Sequence, residues 1–155
     1  MAYPFKTILS PVQFDDNSLA ALAVAKEIAL TYDATVYVLY IVPIILVPGE
    51  GYIVYSLEEQ EQNAKKALAD MARDHLSGAK YEILTKIGEI AKSVLDVAHE
   101  IRADLIVMAT HGRTGIPHFF LGSVAEKVVR EALCPVLTVR PTVKEKAAGA
   151  GLGGG

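Results

Sequence analysis

A short loop bracketed by glycine residues is the part of the chain best suited to chemistry. It follows the apolar run Leu105 to Ala109, contains Gly112 and Gly115, and leads through Gly122-Ser123 into a helical pattern. A buried strand, a glycine-containing loop and a helix N-terminus together favour an anion, because the first N–H groups of a helix lack partners within it and the helix dipole attracts negative charge. The pattern predicts a phosphate-binding loop.

The spacing of this loop differs from two common phosphate-binding motifs. Nine residues separate Gly112 from Gly122-Ser123. The Walker A motif requires a Gly-Lys-Ser/Thr ending, and the dinucleotide fingerprint requires Gly-x-Gly-x-x-Gly. Because there is no Walker lysine and no visible set of nucleophile, base and orienting group, we assign no catalytic residue and expect a binding protein rather than an enzyme.

The loop resembles that of the universal stress protein family. ATP-binding members of that family carry Gly-x-x-Gly, nine residues, then Gly-Ser/Thr. Here Ala109-Thr110-His111-Gly112 occupies the first half and Gly122-Ser123 the second, so that one glycine of the family is an alanine. The run from Ala125 to Pro141 also resembles the closing helix and strand of the family. The resemblance extends over roughly residues 3 to 141.

Composition indicates one globular domain. The chain has 155 residues, of which 52% are hydrophobic and 21% charged, and its formal net charge is −3, which argues against a general nucleic-acid surface. We place the domain at 1–141 and expect a flexible Gly/Ala-rich tail at 142–155. The chain has a single cysteine, Cys134, so we expect no intramolecular disulfide. Its longest apolar run is broken by Pro43, so we expect no membrane span. Together with the lack of a signal-peptide pattern, these features predict a cytoplasmic protein.

Apolar runs alternate with apolar stripes at helical spacing. The runs predict strands at Phe5–Ser10, Ala34–Val42, Lys80–Lys86, Leu105–Ala109 and Val136–Arg140. The stripes predict four helices, which begin near Asp15 to Ser18, at a capping box formed by Ser56 and Glu59, after Gly88, and at Ser123. This alternation predicts a single three-layer α/β domain with a five-stranded parallel sheet and helices on both faces, a Rossmann-like fold. The resemblance implies the strand order 3-2-1-4-5 and an adenine nucleotide alpha hydrolase-like architecture.

The segment Pro43 to Tyr55 is interpreted as a loop with an apolar tip. Two readings of Ile44 to Val47 are open: the tip packs on the edge of its own domain, or it forms a lid or a contact with a second subunit.

In open parallel sheets, ligands bind beyond the carboxyl ends of the strands, where the strand order reverses. The family's order places that crevice between strands one and four. The resemblance then implies that adenine and ribose lie against the turn after strand one and the end of strand two, and the phosphates against the glycine loop. The candidate binding residues are Pro11, Val12, Gln13, Ile41, Met108, Ala109, His111, Gly112, Arg113, Gly122, Ser123 and Val124.

Several of these residues carry a specific expectation. The N–H groups of Gly122, Ser123 and Val124 are expected to point at the phosphates, and Arg113 to add a charge-assisted contact. Ser123 could instead be only the helix N-cap. Gln13 stands where the family often has aspartate. His75, His99 and His118 fall on separate elements without ligand spacing, so we assign no metal site.

The resemblance implies a stress-response regulatory protein that binds ATP, with Mg²⁺ held through the phosphates, and that forms homodimers through Val136 to Arg140. Two alternatives are open. Ala109 and Gln13 would suit an interaction module of the same family that has lost the nucleotide. A slow ATPase would instead release phosphate in a manner that depends on Gly112 and Ser123.

Overall fold

The computed structural model describes residues 4–44, 46–52, 56–110 and 122–140. The strands are β1 (Thr7–Pro11), β2 (Thr35–Pro43), β3 (Leu46–Val47), β4 (Gly51–Tyr52), β5 (Lys80–Gly88), β6 (Leu105–Ala109) and β7 (Val136–Val139). The helices are α1 (Asp16–Tyr32), α2 (Leu57–His75), α3 (Ile90–Glu100) and α4 (Ser123–Glu131). Among the residues described, no helix combines the length and the apolar character needed to cross a bilayer.

Five strands form one sheet in the order β5-β2-β1-β6-β7, and every neighbouring pair is parallel. Numbered by chain order within this sheet, the strands follow 3-2-1-4-5, so the predicted fold class and strand order are confirmed. The segment from Pro43 to Tyr55, interpreted as a loop with an apolar tip, contains a short antiparallel hairpin of β3 and β4 that the sequence pattern did not predict. Whether Ile44 to Val47 pack on the edge of their own domain, or form a lid or a contact with a second subunit, stays a prediction.

The sheet is covered on both faces, which is why its strands are almost entirely apolar. Successive side chains of a strand point to opposite faces, and the fully buried Ile8 and Leu9 of β1 belong to two different cores. One core lies under α1 and α2 and includes Leu22 and Leu68. The other lies under α3 and α4 and includes Val94.

The helix starts test three capping predictions. Asp15 is the N-cap of α1, and its Oδ1 accepts a hydrogen bond from the Ser18 N–H at 2.8 Å. The capping box predicted at Ser56 is wrong: this N-cap residue has a φ of 59° and makes no side-chain cap hydrogen bond, because the extended backbone that aims a capping hydroxyl is missing. Gly122 is the N-cap of α4, so Ser123 is not a cap.

The central strands β1 and β6 are joined mainly at their amino ends. One carboxylate oxygen of Asp104 accepts hydrogen bonds from the N–H groups of Lys6 and Thr7, each at 2.8 Å. The registered pairing of β1 with β6 covers only Ile8 with Leu105 and Leu9 with Ile106. Beyond these pairs the strands separate, which opens a crevice at their carboxyl ends.

Cys134 is half-buried and packs against the core under α3 and α4. Burial, and then the negative charge of Asp104, raises the pKa of its thiol. The thiol is therefore held in its protonated, less reactive form.

Candidate functional site

A cavity of about 350 Å³ lies where β1 and β6 separate. Its volume falls in the range of small-molecule sites, roughly 300–1,000 Å³. The strand ends, the turn after β1, one side of α3 and the first turn of α4 surround it. Its lining residues are Pro11, Val12, Gln13, Phe14, Ser18, Leu39, Tyr40, Ile41, Pro43, Ile90, Val94, Met108, Ala109, Thr110, Gly122, Ser123, Val124 and Ala125.

The structure brings candidate residues from four separate parts of the chain to this one cavity. Those that line it are Pro11, Val12, Gln13, Ile41, Met108, Ala109, Gly122, Ser123 and Val124. The other three candidates, His111, Gly112 and Arg113, lie outside the described residues. That any of these residues contacts a ligand stays a prediction.

The turn after β1 forms one rim of the cavity and is held by its own hydrogen bonds. The Val12 N–H donates to the Leu39 carbonyl at 2.9 Å, and the Gln13 N–H donates to Ser18 Oγ at 2.7 Å. Ser18 is in turn fixed by the Asp15 cap at the start of α1. The backbone of this rim is therefore fixed by the protein itself, while the Gln13 residue is exposed beside the cavity.

Two aromatic rings lie on the same side of the cavity. Phe14 and Tyr40 have ring centroids 4.7 Å apart and ring planes inclined by 33°. Phe14 is 45% exposed although it is apolar. Tyr40 packs against the core under α1 and α2, whereas other apolar lining residues, among them Leu39, Ile41 and Met108, belong to the core under α3 and α4. A flat, apolar group of a ligand would fit this side.

The opposite side of the cavity is the start of α4. The Gly122 N–H donates to the Thr110 carbonyl at 2.7 Å. The expectation that this N–H points at a phosphate is therefore wrong, because the protein already uses it. The N–H groups of Ser123, Val124 and Ala125 belong to the first turn, where a helix offers no backbone acceptor, and all three residues line the cavity.

The electrostatic character of the site comes from this helix end. None of the lining residues that the structure describes carries a charged side chain. The partial positive charge of the α4 N-terminus thus provides the local attraction for an anion among them. In the described ranges, no group of three or more His, Cys, Asp or Glu side chains is placed to hold a metal ion.

Three buried side-chain oxygens have no hydrogen-bond partner in the described part of the chain. They are Ser10 Oγ, Asp15 Oδ2 and Thr110 Oγ1. Each belongs to the carboxyl end of β1 or β6, or to the turn that follows. Of these residues, Thr110 lines the cavity and is only 2% exposed.

Sequence reasoning did not single out several lining residues. Thr110 follows β6 directly, and Tyr40 precedes Ile41 near the carboxyl end of β2. Their places near strand ends are a signal in the sequence that could have identified them as lining residues. Ile90 and Val94 lie on the apolar side of α3, which packs against the core. Their position at the cavity depends on how α3 packs on the sheet, which the sequence pattern alone does not specify.

Comparison with known proteins gives a consistent result for this chain. The model of the universal stress protein family matches residues 4–140. A universal stress protein of Methanocaldococcus jannaschii is 40% identical over 147 residues, which cover 91% of this chain and 85% of that protein.

Solved structures share the fold. A universal stress protein in complex with cAMP superposes with a TM-score of 0.65 at 22% identity, covering 88% of this chain and 98% of the other. The universal stress protein from Archaeoglobus fulgidus in complex with dAMP gives a TM-score of 0.63 at 23% identity, covering 87% and 98%. At these identities the likeness establishes the fold alone.

Proposed function

Because the chain belongs to the universal stress protein family, we propose that it is a cytoplasmic stress-response regulator that binds an adenine nucleotide in the cavity between β1 and β6. ATP, with Mg²⁺ held through its phosphates, is the proposed ligand. The observation that carries the proposal is the two-sided character of this cavity, which has an apolar, aromatic side and an anion-attracting side.

The two sides match the two ends of a nucleotide. A purine ring would lie against the apolar lining of the cavity, which includes Phe14, Tyr40, Ile41 and Met108. The phosphates would lie at the first turn of α4, where the N–H groups of Ser123 and Val124 and the Ser123 hydroxyl would donate hydrogen bonds. Gln13 lies on the rim of the cavity and would face the ribose.

Proteins of the same fold support this assignment. The two solved structures described above hold cAMP and dAMP, which are both adenine nucleotides. The fold is thus able to hold a ligand of this class, and the present chain offers a cavity at the expected edge of the sheet.

We further propose a homodimer formed through the last strand, Val136 to Arg140. In the described part of the sheet, β7 is an edge strand that pairs only with β6. An unpaired strand edge favours pairing with a second chain. Nucleotide occupancy would then be signalled through this contact or to another partner.

One observation favours the alternative of a nucleotide-free interaction module. Ala109 lines the cavity, so its Cβ occupies space that a glycine would leave open. Gln13 also offers an amide where a carboxylate would bind ribose hydroxyls more strongly. This alternative retains the fold and the dimer but not the ligand.

Isothermal titration calorimetry on protein stripped of bound ligand separates these proposals. ATP, ADP, AMP and cAMP are titrated with and without Mg²⁺ into the native protein and into Gly122→Val, whose added side chain lies at the α4 end of the cavity. We expect saturable binding to the native protein and its loss in the variant. Ala67→Val, which adds bulk to an exposed position of α2, is the control and is expected to bind the nucleotides with unchanged affinity. Lack of binding by all four nucleotides to folded native protein would favour the nucleotide-free module.

A further inference from the structure

The strand β5 forms the edge of the sheet that lies opposite β7. In the described part of the chain it pairs only with β2, along all of its residues from Lys80 to Gly88. None of the residues of β5 is fully buried, although α2 packs against the strand. A long strand at a sheet edge can accept another strand, because its outward N–H and C=O groups have no partners within the sheet.

Charged side chains are a usual protection of such an edge against pairing. The strand β5 carries Lys80, Glu82 and Lys86, which share one face because successive side chains of a strand alternate. Leu84 lies between Glu82 and Lys86 on this face and packs against the core under α3 and α4. Whether the charges prevent pairing depends on the charges that an arriving strand places opposite them.

A second copy of β5 would place opposite charges there. In a two-fold antiparallel pair that uses the whole strand, Lys80 faces Gly88 of the second copy and Leu84 lies on the two-fold axis. Glu82 of each copy then faces Lys86 of the other. Directly opposite side chains of an antiparallel pair have Cβ atoms about 4.5–5.5 Å apart, and opposite charges at this distance stabilise the pair.

The neighbouring two-fold registers lose this match. An axis at Ile83 places Lys80 against Lys86 of the other copy, which are like charges. An axis at Thr85 places Glu82 against Gly88. The register that pairs the whole strand is therefore also the one that the charges favour among these three.

The other side chains of β5 are compatible with this register. Tyr81 is 38% exposed and would face Ile87 of the second copy, an aromatic and β-branched pair of the kind that stabilises antiparallel sheets. Lys86 already forms an ion pair with Glu100 at 3.2 Å. Because an ammonium group has three donors and this side chain is 33% exposed, it can meet a second carboxylate.

We propose that β5 is an interface at which two copies of this chain pair antiparallel, with two contacts between Glu82 and Lys86. This interface is separate from the contact proposed through β7, because the two strands lie at opposite edges of the sheet. A chain that uses both edges associates beyond a dimer.

The test exchanges charges at β5 in a Leu137→Asp background, in which association through β7 is expected to be weak. Glu82→Lys places lysine against lysine at both contacts, and Lys86→Glu places glutamate against glutamate. In sedimentation velocity, each variant alone is expected to associate at least about tenfold more weakly than the Leu137→Asp parent.

An equimolar mixture of the two variants is expected to recover the association of the parent. Every contact in a mixed pair joins a lysine to a glutamate, so the repulsion present in each variant alone is removed. Recovery would also show that both variants are folded, since a variant that fails to fold cannot complete the pair.

Glu59→Lys and Lys66→Glu, at exposed positions of α2, are the matched controls in the same background. They make the same changes of net charge away from β5. Each control variant, and their mixture, is expected to associate like the parent.

Two results would overturn the proposed interface. A Leu137→Asp parent that stays monomeric up to millimolar concentration would show that β5 does not pair. Association that is unchanged in Glu82→Lys and Lys86→Glu, or that is lost in both and not restored by mixing, would show that these charges do not meet.

Discussion

Gly122 and Ser123 are neighbours at the start of α4, yet they contribute to the cavity in different ways. Gly122 is the N-cap, and its N–H is bonded to the Thr110 carbonyl. Ser123 is the first residue of the helix and is exposed, so its hydroxyl and its N–H are both available at the cavity. We therefore propose that Ser123 binds phosphate and that Gly122 positions the start of α4.

Ser123→Ala tests this assignment. Loss of a hydrogen bond to a charged acceptor is expected to weaken nucleotide binding by about 1–3 kcal/mol, measured by calorimetry. Ser77→Ala changes an exposed serine in the turn after α2, distant from the lining residues, and is expected to have no effect. An affinity unchanged by Ser123→Ala would remove this hydroxyl from the site.

The sequence predicted residue types better than it predicted individual hydrogen bonds. The motif located Gly122 and Ser123 at the end of a loop, and the structure brings both to the cavity. The partner of the Gly122 N–H could not be predicted, because it depends on where the Thr110 carbonyl lies after β6 has paired with β7. The orphan hydroxyl of Thr110 likewise becomes visible only once burial is known.

At the scale of elements, the packing of α3 against β5 determines part of the cavity wall. Gly88 ends β5 just before α3, and a Cβ added there would lie 2.7 Å from Ser93 Oγ, a distance that real Cβ contacts do not reach. Ser93 itself is 5% exposed and has little room to move. The glycine thus permits the close approach of α3 that places Ile90 and Val94 at the cavity.

Gly88→Ala should therefore destabilise the fold. Overpacking of a core site costs about 1–3 kcal/mol, which urea denaturation can measure as a lower free energy of unfolding. Adding Ser93→Ala is expected to recover much of this loss, since the second change removes the clashing oxygen.

Gly78→Ala is the matched control for this pair. Gly78 has a φ of 89° and nothing within 4 Å of an added Cβ, so alanine there strains only the backbone. Ser93→Ala should not rescue it. If Ser93→Ala rescued neither glycine variant, or both alike, the proposed contact between β5 and α3 would be contradicted.

Elements were predictable from sequence where local pattern decides them. The boundaries of β6 match the prediction, since an isolated five-residue apolar run leaves little choice. The hairpin of β3 and β4 was missed because its strands have only two residues each, too few for a periodic pattern. The cap at Ser56 failed because its backbone conformation depends on how the chain enters α2.

At the scale of the whole molecule, the exposed edge at β7 is the proposed contact between subunits. Leu137 on this strand is 39% exposed. Val129 and Leu133, near the end of α4 and just beyond it, are 46% and 91% exposed. Apolar side chains at a strand edge are suited to burial against a second copy of the chain.

Leu137→Asp is expected to weaken this dimer. A charge placed at the pairing edge should raise the dimer dissociation constant at least about tenfold, or 1.4 kcal/mol. Sedimentation velocity over a range of protein concentrations measures the change. Leu30→Asp, at a 50% exposed leucine on α1, is the control and is expected to leave association unchanged. Equal association of both variants would contradict a contact through β7.

The most direct test of nucleotide binding at the cavity is a methyl NMR titration of protein with labelled isoleucine, leucine and methionine side chains. With AMP or Mg²⁺-ATP, we expect saturable shifts of the methyl resonances of Ile41, Ile90 and Met108, which line the cavity. The methyl resonances of Leu68 and Leu76, which lie in the core under α1 and α2, should not shift. No saturable shift at millimolar nucleotide, or shifts centred on Leu68 and Leu76, would contradict nucleotide binding in the cavity between β1 and β6.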